Sequence, residues 1–249
     1  TLANNDAIYI GIDDDGASND FSGYLDDIKI YNYARTAAQI KADYLAGAGR
    51  GSSAGVASKE TSLAQSEGLV AHYKMDDAGI DAEDETITDS SGNGNSGTLY
   101  GDDSDGDNGS GMDCTVAGKY GTGCEFDGVD DYVDCSNNLS VPDNITVSAW
   151  IYSTDGATGW QGIVTKKTNG VESTGYSLVN HAGFLRFKTN SASSDFAIST
   201  GQWYHVAGVH NNGTNTLYVD GILRDTDTSQ DLIANSRDIN VGAFQDLGV

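Results

Sequence analysis

Short apolar runs separated by polar turn residues dominate the second half of the chain. The runs are rich in β-branched and aromatic residues, which is typical of strands. Between them, Asn212-Gly213 and Asp220-Gly221 are typical of hairpin turns, because these residue types tolerate positive φ. The pattern predicts an all-β sandwich or jelly roll of antiparallel strands. The predicted strands are Ile145–Tyr152, Gln161–Lys166, Tyr176–Asn180, Phe184–Lys188, Trp203–His210, Thr216–Val219 and Ile239–Phe244.

One segment, Thr36–Leu45, has helical periodicity instead. Thr36 can cap its N-terminus, and an apolar stripe that includes Ile40 and Tyr44 recurs at helical spacing. The segment that follows, residues 46–67, is rich in Gly, Ala and Ser and is predicted to be a flexible linker.

A strand is also predicted over Tyr24–Tyr31. Regular alternation would place Asp26 on the same face as the apolar side chains of Ile28 and Ile30. An unpaired carboxylate is costly on such a face, so Asp26 is expected to need a cation or several hydrogen-bond donors.

The charge of the chain is strongly negative, and the type of acid is informative. The formal net charge is -24, and six of the 37 acidic residues are glutamates while the rest are aspartates. Aspartate favours turns and supplies short oxygen ligands for calcium. So acidic a chain disfavours nucleic acid and anionic membranes as partners, and no apolar stretch is long enough for membrane insertion. A solvating acidic surface and adaptation to high salt are the alternatives to calcium.

The three cysteines are Cys114, Cys124 and Cys135. Spacing allows a Cys114–Cys124 or a Cys124–Cys135 disulfide, with one thiol left over in either case. Three reduced cysteines are the remaining alternative. A disulfide would favour an extracellular setting.

Six short motifs punctuate residues 68–249, and together they indicate a family. They are Gly68-Leu69-Val70-Ala71-His72-Tyr73-Lys74-Met75-Asp76, Asp89-Ser90-Ser91-Gly92-Asn93-Gly94-Asn95-Ser96-Gly97, Phe126-Asp127-Gly128-Val129-Asp130-Asp131-Tyr132-Val133, Val147-Ser148-Ala149-Trp150-Ile151, Gln202-Trp203-Tyr204-His205-Val206-Ala207 and Leu217-Tyr218-Val219-Asp220-Gly221. This part of the chain resembles the laminin G-like, concanavalin A-like jelly-roll repeats of microbial secreted or surface proteins. The resemblance implies a β-sandwich of two antiparallel sheets with one short helix.

The repeat lies out of phase with the ends of the chain. Residues 8–45 resemble the C-terminal strands and helix of such a repeat, while Ile239–Phe244 resembles Ile8–Gly11 again at the other end. We therefore expect residues 1–45 to complete the sandwich formed by residues 68–249. They could do so within one chain or by strand exchange between chains, which is a form of self-association.

The resemblance also implies a structural calcium ion held by Asp26 together with the early Asp-Ser-Ser-Gly-Asn-Gly-Asn loop. The matching loop residues are Asp89, Asn93 and Asn95, and Asp76 is a further candidate. The alternative for this loop is a turn capped by its own side chains.

A second aspartate cluster begins at residue 102. Asp103, Asp105 and Asp107, with Asp113 further on, present carboxylates in the manner of a calcium loop. No glutamate stands at the twelfth position of that loop and no helices flank it, so an EF-hand is not expected. A solvated acidic loop is the alternative.

Residues for ligand binding and catalysis are sparse. The candidates for stacking on sugar rings are Trp160, Trp203, Trp150, Tyr176 and Tyr152, with core or sheet-surface packing as the alternative for each. Trp160 stands out because it follows a polar loop. Glu83, Asp84 and Glu85 lack the spacing of a glycosidase carboxylate pair on a strand, and the four histidines are scattered without metal-ligand spacing.

These observations predict a noncatalytic, calcium-binding module that is secreted or at the cell surface. It would bind carbohydrate or a surface protein, in adhesion or substrate targeting. One alternative is a purely structural repeat that assembles by strand complementation. Another is a glycoside hydrolase or lyase.

Overall fold

Two antiparallel sheets pack face to face across one hydrophobic core, and a single described helix lies on the outside of the second sheet. The computed structural model describes residues 7–13, 20–48, 66–77, 86–101, 112–136, 144–156, 159–167, 175–189 and 193–228. The predicted all-β class, with two antiparallel sheets and one short helix, is confirmed.

The described strands are numbered in their order along the chain. They are β1 (Tyr9–Ile10), β2 (Ser22–Tyr31), β3 (Leu69–Tyr73), β4 (Thr86–Ile87), β5 (Gly97–Tyr100), β6 (Asp113–Ala117), β7 (Thr122–Asp127), β8 (Tyr132–Asp134), β9 (Ile145–Ser153), β10 (Trp160–Lys167), β11 (Gly175–His181), β12 (Phe184–Thr189), β13 (Ser193–Ala197), β14 (Trp203–Asn211), β15 (Thr214–Val219) and β16 (Ile222–Asp227). The helix α1 (Ala37–Gly47) follows β2.

Neighbouring strands are antiparallel in both sheets. The first sheet runs β13-β12-β11-β10-β1-β8-β5-β4, and the second runs β16-β15-β14-β9-β2-β7-β6, with β3 also paired to β2. The strands predicted between residues 145 and 219 are found within a few residues of their expected ends. The predicted strand Ile239–Phe244 lies outside the described residues.

Strands β1 and β2 occupy central positions, β1 in the first sheet and β2 in the second. Strand β1 lies between β10 and β8, where Tyr9 is opposite Thr165 on one side and Asp134 on the other. Strand β2 pairs with β9 along one edge and with β7 and β3 along the other. All of these partners belong to the one chain described, and completion of the sandwich within the chain or by strand exchange stays a prediction.

A β-bulge in β2 changes the predicted faces of that strand. Asp26 pairs with Trp150 and Lys29 with Ser148, so β2 has one residue more than β9 in this interval, and Asp27 has a φ of 50°. Leu25 and Ile28 consequently both enter the core. Asp26 points to the outer face instead, and the prediction that it shares a face with Ile28 and Ile30 is wrong because of this extra residue.

Helix α1 begins where its sequence predicts. Thr36 and Gln39 form a reciprocal capping box, in which the Thr36 side chain accepts from the Gln39 backbone N–H and the Gln39 side chain from that of Thr36. The helix continues to Gly47, so the first two residues of the predicted linker are helical. Residues 49–65, the remainder of that linker apart from its ends, lie outside the described part of the chain.

The helix covers part of the outer face of the second sheet. Ile40 packs against Ala207 and Val209 of β14 in a small apolar cluster of its own. Arg35, just before the helix, pairs with Asp43 through an N–O distance of 2.8 Å, and both side chains are buried. At Gly47 a Cβ atom would lie 2.7 Å from the Trp150 indole nitrogen, so glycine allows the end of the helix to approach the sheet. No helix in the described part of the chain is long and apolar enough to cross a membrane.

The hairpin turns after β14 and β15 have the predicted geometry. Asn212 and Gly213 have φ values of 47° and 85°, and Asp220 and Gly221 have values of 54° and 69°. Positive φ at both central residues matches the right-handed twist of the flanking strands.

The disulfide joins Cys114 to Cys124, one of the two pairings that the spacing allows. It connects β6 to β7, and Cys135 is a free, buried thiol. Because β6 is the last strand of its sheet, the disulfide fixes an edge that has a neighbour on one side only.

Removing this disulfide should destabilise the protein measurably. The two cysteines are 10 residues apart, and the loss of a loop closure of this size lowers the free energy of unfolding by about 2–3 kcal/mol. We expect the Cys114→Ala/Cys124→Ala variant to show this loss in denaturant unfolding, and the wild type to show it on reduction. The double variant is its own control, since reductant should leave its unfolding unchanged. Equal unfolding of the oxidised and reduced wild type would contradict the prediction.

Candidate functional site

A row of aromatic side chains crosses the outer face of the second sheet. Trp203 on β14 is opposite Tyr152 on β9, Tyr152 is opposite Tyr24 on β2, and Tyr24 is opposite Glu125 on β7. These four residues, here called the aromatic row, lie side by side on four adjacent strands. Their inward neighbours Leu25 and Ile151 belong to the core, so alternation directs the row outward.

The three rings of the aromatic row contact one another and remain partly exposed. The ring centroids are 5.4 Å apart for Tyr24 and Tyr152, 5.7 Å for Tyr152 and Trp203, and 6.4 Å for Tyr24 and Trp203. A hydrogen bond with Glu125 raises the pKa of the Tyr24 phenol. The row therefore combines flat apolar faces with a carboxylate at one end, which can accept hydrogen bonds from hydroxyl groups.

The sequence suggested Tyr152 and Trp203 individually as stacking residues, but it did not predict Tyr24, Glu125 or the row that they form. Tyr24, Tyr152 and Trp203 are far apart along the chain, and only the strand order and register bring them together. Apolar contact area with a polar edge is what aromatic residues provide in binding sites.

A cleft of about 470 Å³ lies between α1 and strands β2 and β3. Acidic and basic side chains line it, among them Asp26, Asp27, Asp76, Lys29 and His72. Two of the predicted metal ligands, Asp26 and Asp76, thus line one cleft.

Asp27 in this cleft is neutralised by protein groups. Its carboxylate accepts hydrogen bonds from the Lys29 ammonium and the His72 Nε2 at 2.6 Å each. Burial alone would raise the pKa of Asp27, but the His72 and Lys29 contacts hold it well below its usual range. Asp27 is therefore an ion-pair partner and not an open ligand.

Asp26 is buried and forms no ion pair with a lysine, arginine or histidine in the described part of the chain. The residue is 1% exposed, and its Oδ2 accepts a hydrogen bond from the backbone N–H of Tyr120 at 2.8 Å. Burial raises the pKa of the Asp26 carboxyl to about 7, and the nearby carboxylates of Asp27 and Asp76 act in the same direction. A cation beside Asp26 would remove this cost.

Asp76 stands at the mouth of the same cleft. Its Oδ1 accepts a hydrogen bond from the backbone N–H of Thr122 at 3.1 Å, and the residue is exposed. The 119–122 turn thus donates to both carboxylates, to Asp26 through Tyr120 and to Asp76 through Thr122.

In the predicted calcium loop after β4, the side chains form hydrogen bonds with groups of the protein. Both Asp89 oxygens accept hydrogen bonds, from the backbone N–H groups of His72, Ser91 and Asn95 and from the Ser91 hydroxyl. The Asn93 and Asn95 amides donate to the carbonyl of Val70. Burial opposes ionisation, but these donors lower the pKa of the Asp89 carboxyl.

The contacts of Asp89 favour the turn capped by its own side chains over a calcium site at this loop. A carboxylate with four protein donors has little need of a cation. Asp89, Asn93 and Asn95 also do not line the cleft that contains Asp26, so the structure does not bring the predicted ligand set together.

Of the second predicted aspartate cluster, Asp113 lies within the described residues. Asp103, Asp105 and Asp107 lie outside the described residues. Asp113 is exposed on β6, and its Oδ1 accepts from the backbone N–H and the hydroxyl of Thr115.

The predicted sugar-stacking residues have other surroundings. Tyr176 is 2% exposed and belongs to the core, so stacking on a ligand is a wrong prediction for it. Trp160 is partly exposed, but its ring stacks on His181 at 4.1 Å and lies 4.1 Å from the Lys188 ammonium. The π-system of Trp160 is therefore engaged by groups of the protein.

Comparison with known proteins found one family model that is similar to part of the chain. Residues 127–247 match the family model of the concanavalin A-like lectin/glucanases superfamily. No curated protein and no solved structure matches the chain.

The raised pKa of Asp26 predicts a pH-dependent stability without calcium. The native state holds this proton up to about pH 7, whereas the unfolded chain releases it near 3.8, so the contribution of Asp26 to stability is lost as pH rises towards 7. The Asp26→Asn variant carries no ionisable group at this position, so its free energy of unfolding lacks this loss. From pH 5 to pH 8, the free energy of unfolding of the wild type should therefore fall by on the order of 2 kcal/mol more than that of Asp26→Asn. Denaturant unfolding in the presence of chelator measures this difference.

Asp113→Asn, at an exposed carboxylate, is the control and should follow the wild type. Parallel stability curves of wild type and Asp26→Asn across this pH range would refute a neutral, buried Asp26.

Proposed function

We propose that this chain is a noncatalytic extracellular module that binds carbohydrate. The match of residues 127–247 to the concanavalin A-like lectin/glucanases superfamily supports this proposal. The observation that carries the proposal is the aromatic row of Trp203, Tyr152 and Tyr24 with Glu125 at its end.

The row has the chemistry of a sugar-binding platform. Adjacent strands are about 4.8 Å apart, so the three rings form a strip on the order of 10 Å long across the sheet. Such a strip can contact the apolar faces of successive pyranose rings, and the carboxylate of Glu125 can accept hydrogen bonds from their hydroxyl groups. Rings fixed by contact with each other lose little further entropy when a ligand binds.

The composition of the row supports binding without catalysis. Glycoside hydrolysis uses two carboxyl groups about 5–10 Å apart on either side of the scissile bond. Among the four residues that form the row, Glu125 alone is acidic. The row offers acceptor and stacking groups and lacks the second acid.

The disulfide supports an extracellular location. Disulfides persist in oxidising compartments and are rare in reducing ones. The Cys114–Cys124 bond therefore agrees with a protein that is secreted or displayed at the cell surface.

Loss of a row aromatic should weaken glycan binding. In affinity electrophoresis against soluble β-glucans, mannans and xylans, we expect at least one polysaccharide to retard the wild type. Trp203→Ala and Tyr152→Ala should each weaken that interaction by about tenfold, through lost stacking and contact area. Release of reducing ends, measured on the same polysaccharides, should not exceed the protein-free rate.

Tyr132→Ala is the matched control. Tyr132 is also a partly exposed tyrosine that stacks on a neighbour, Tyr100, but it belongs to the other sheet. Equal binding by wild type and both row variants would exclude the row as the binding site. Release of reducing ends would contradict a noncatalytic module and indicate a glycoside-cleaving enzyme.

We also propose that the calcium ion predicted from the sequence is held at the cleft, by Asp26 and Asp76. Both carboxylates line the cleft, and Asp26 is buried without an ion-pair partner among the residues that the structure describes. When bound, calcium would supply the positive charge that Asp26 lacks, and carboxylates are its preferred ligands. Both residues accept from the 119–122 turn, so they would tie that turn to strand β2.

Calcium should therefore raise the thermal stability of the protein through Asp76. We expect saturating calcium to increase the Tm of the wild type, because an ion bound by the native state alone stabilises it by mass action. Asp76→Asn should lose a large part of this increase, measured against chelator-treated protein. Asp77→Asn is the neighbouring control, since Asp77 also accepts a backbone hydrogen bond, from Thr88. An Asp76→Asn variant with the full calcium response would remove Asp76 from the site.

A further inference from the structure

Carboxylates converge at the turn between β7 and β8, away from the cleft. One oxygen atom from each of Asp127, Asp130 and Asp131 lies within 4.8 Å of the others. Asp20, just before β2, lies beside the same turn, since Ser22 is paired with Asp127 across β2 and β7. These four residues are called the turn site below.

Backbone pairing explains why Asp20 reaches the turn. Ser22 is opposite Asp127 in the antiparallel pair of β2 and β7, so the chain before Ser22 continues alongside the turn after Asp127. Asp20 is fixed there by an isolated β-bridge to Ile12. The next residue, Phe21, is buried, and its ring contacts that of Phe126 with centroids 6.3 Å apart.

Asp20 is the residue that sets the turn site apart from a solvated acidic loop. It is only 5% exposed, and its Oδ1 is buried without a hydrogen-bond partner among the described residues. No lysine, arginine or histidine of the described chain forms an ion pair with Asp20, Asp127 or Asp131. A buried carboxylate oxygen with no donor and no counterion is costly.

Backbone N–H groups of the turn hold the Asp127 and Asp131 carboxylates in place, each through one of its two oxygens. Asp127 Oδ1 accepts from the backbone N–H of Val129 at 2.7 Å, and Asp131 Oδ2 accepts from that of Asp127 at 2.8 Å. The described hydrogen bonds of both side chains use only these oxygens, which leaves the second oxygen of each for a ligand. The turn is thus ordered by its own acids before any ion arrives.

Burial and mutual repulsion act on these groups in the same direction. Burial, followed by the charges of Asp127 and Asp130, raises the pKa of Asp20 to about 6. Burial, with the same neighbours and Asp20, raises the pKa of Asp131 to about 7. A cation would relieve both effects at once.

We propose that Asp20, Asp127, Asp130 and Asp131 bind a divalent cation, with calcium preferred. The ligands are all carboxylate oxygens, which suit a hard cation, and they come from two segments of the chain, which suits the flexible geometry of calcium better than the strict octahedron of magnesium. The tip of the turn is open to water, as Val129 is 60% exposed, so water can complete the coordination shell. This site is distinct from the cleft at Asp26 and Asp76 and goes beyond the proposed carbohydrate binding.

Calcium titration of the whole chain tests the turn site. After removal of metal with chelator, isothermal titration calorimetry with calcium alone gives the number of sites and their Kd. Asp20→Asn removes the buried charge. Asp127→Asn removes a ligand charge but keeps an oxygen that can accept from Val129, so the turn itself is preserved.

Asp134→Asn is the matched control. Asp134 caps a turn in the same way, by accepting from the backbone N–H of Ser136 at 2.7 Å, but it is not part of the turn site. We expect Asp20→Asn and Asp127→Asn each to bind one calcium ion fewer than wild type, or to bind it at least about tenfold more weakly. Asp134→Asn and Asp76→Asn should keep this ion, and magnesium should bind more weakly at the same site.

Two results would overturn the proposal. One is unchanged calcium stoichiometry and Kd in both Asp20→Asn and Asp127→Asn. The other is a wild-type chain that binds neither calcium nor magnesium. Circular dichroism of each variant confirms that it is folded before titration.

Discussion

Strand β2 is hydrogen-bonded on both edges by strands from a later part of the chain, β9 on one side and β7 and β3 on the other. A strand in the middle of a sheet cannot leave without exposing the ladders of both neighbours. Each surface described above depends on it. Its inward side chains Leu25, Ile28 and Ile30 fill the core, Tyr24 stands in the aromatic row, and Asp26 faces the cleft.

The bulge at Asp26 and Asp27 makes these roles compatible. Positive φ at a non-glycine residue costs of the order of 1 kcal/mol, and Asp27 accepts this conformation with its carboxylate paired to Lys29 and His72. Without the extra residue, regular alternation would put Asp26 among core side chains, where a carboxylate costs several times more. The local strain is thus the smaller of two penalties.

The fold was more predictable from sequence than the site, and particular residues show why. Alternation, the turns at Asn212-Gly213 and Asp220-Gly221, and the cap at Thr36 are local signals, so one short window carries each of them. The bulge in β2 contains no glycine and has no such signal. The aromatic row joins residues 24, 125, 152 and 203, whose adjacency exists only once the strand order is known. Asp89 shows a third limit, because the same Asp, Ser and Asn residues can ligate calcium or cap a turn, and only their hydrogen bonds distinguish the two.

The burial of particular aspartates bears on the meaning of the acidic composition. An acidic surface that serves only solvation or salt adaptation would keep its carboxylates in water. Asp20, Asp26 and Asp131 are instead buried, and each lies near other carboxylates. Asp27 shows how this chain neutralises an acid with its own cations, by using Lys29 and His72. With 13 basic residues for 37 acids, the chain has few cations for this purpose. Solvation of the surface therefore does not account for the buried aspartates around β2, and it is their burial that the two proposed cation sites would offset.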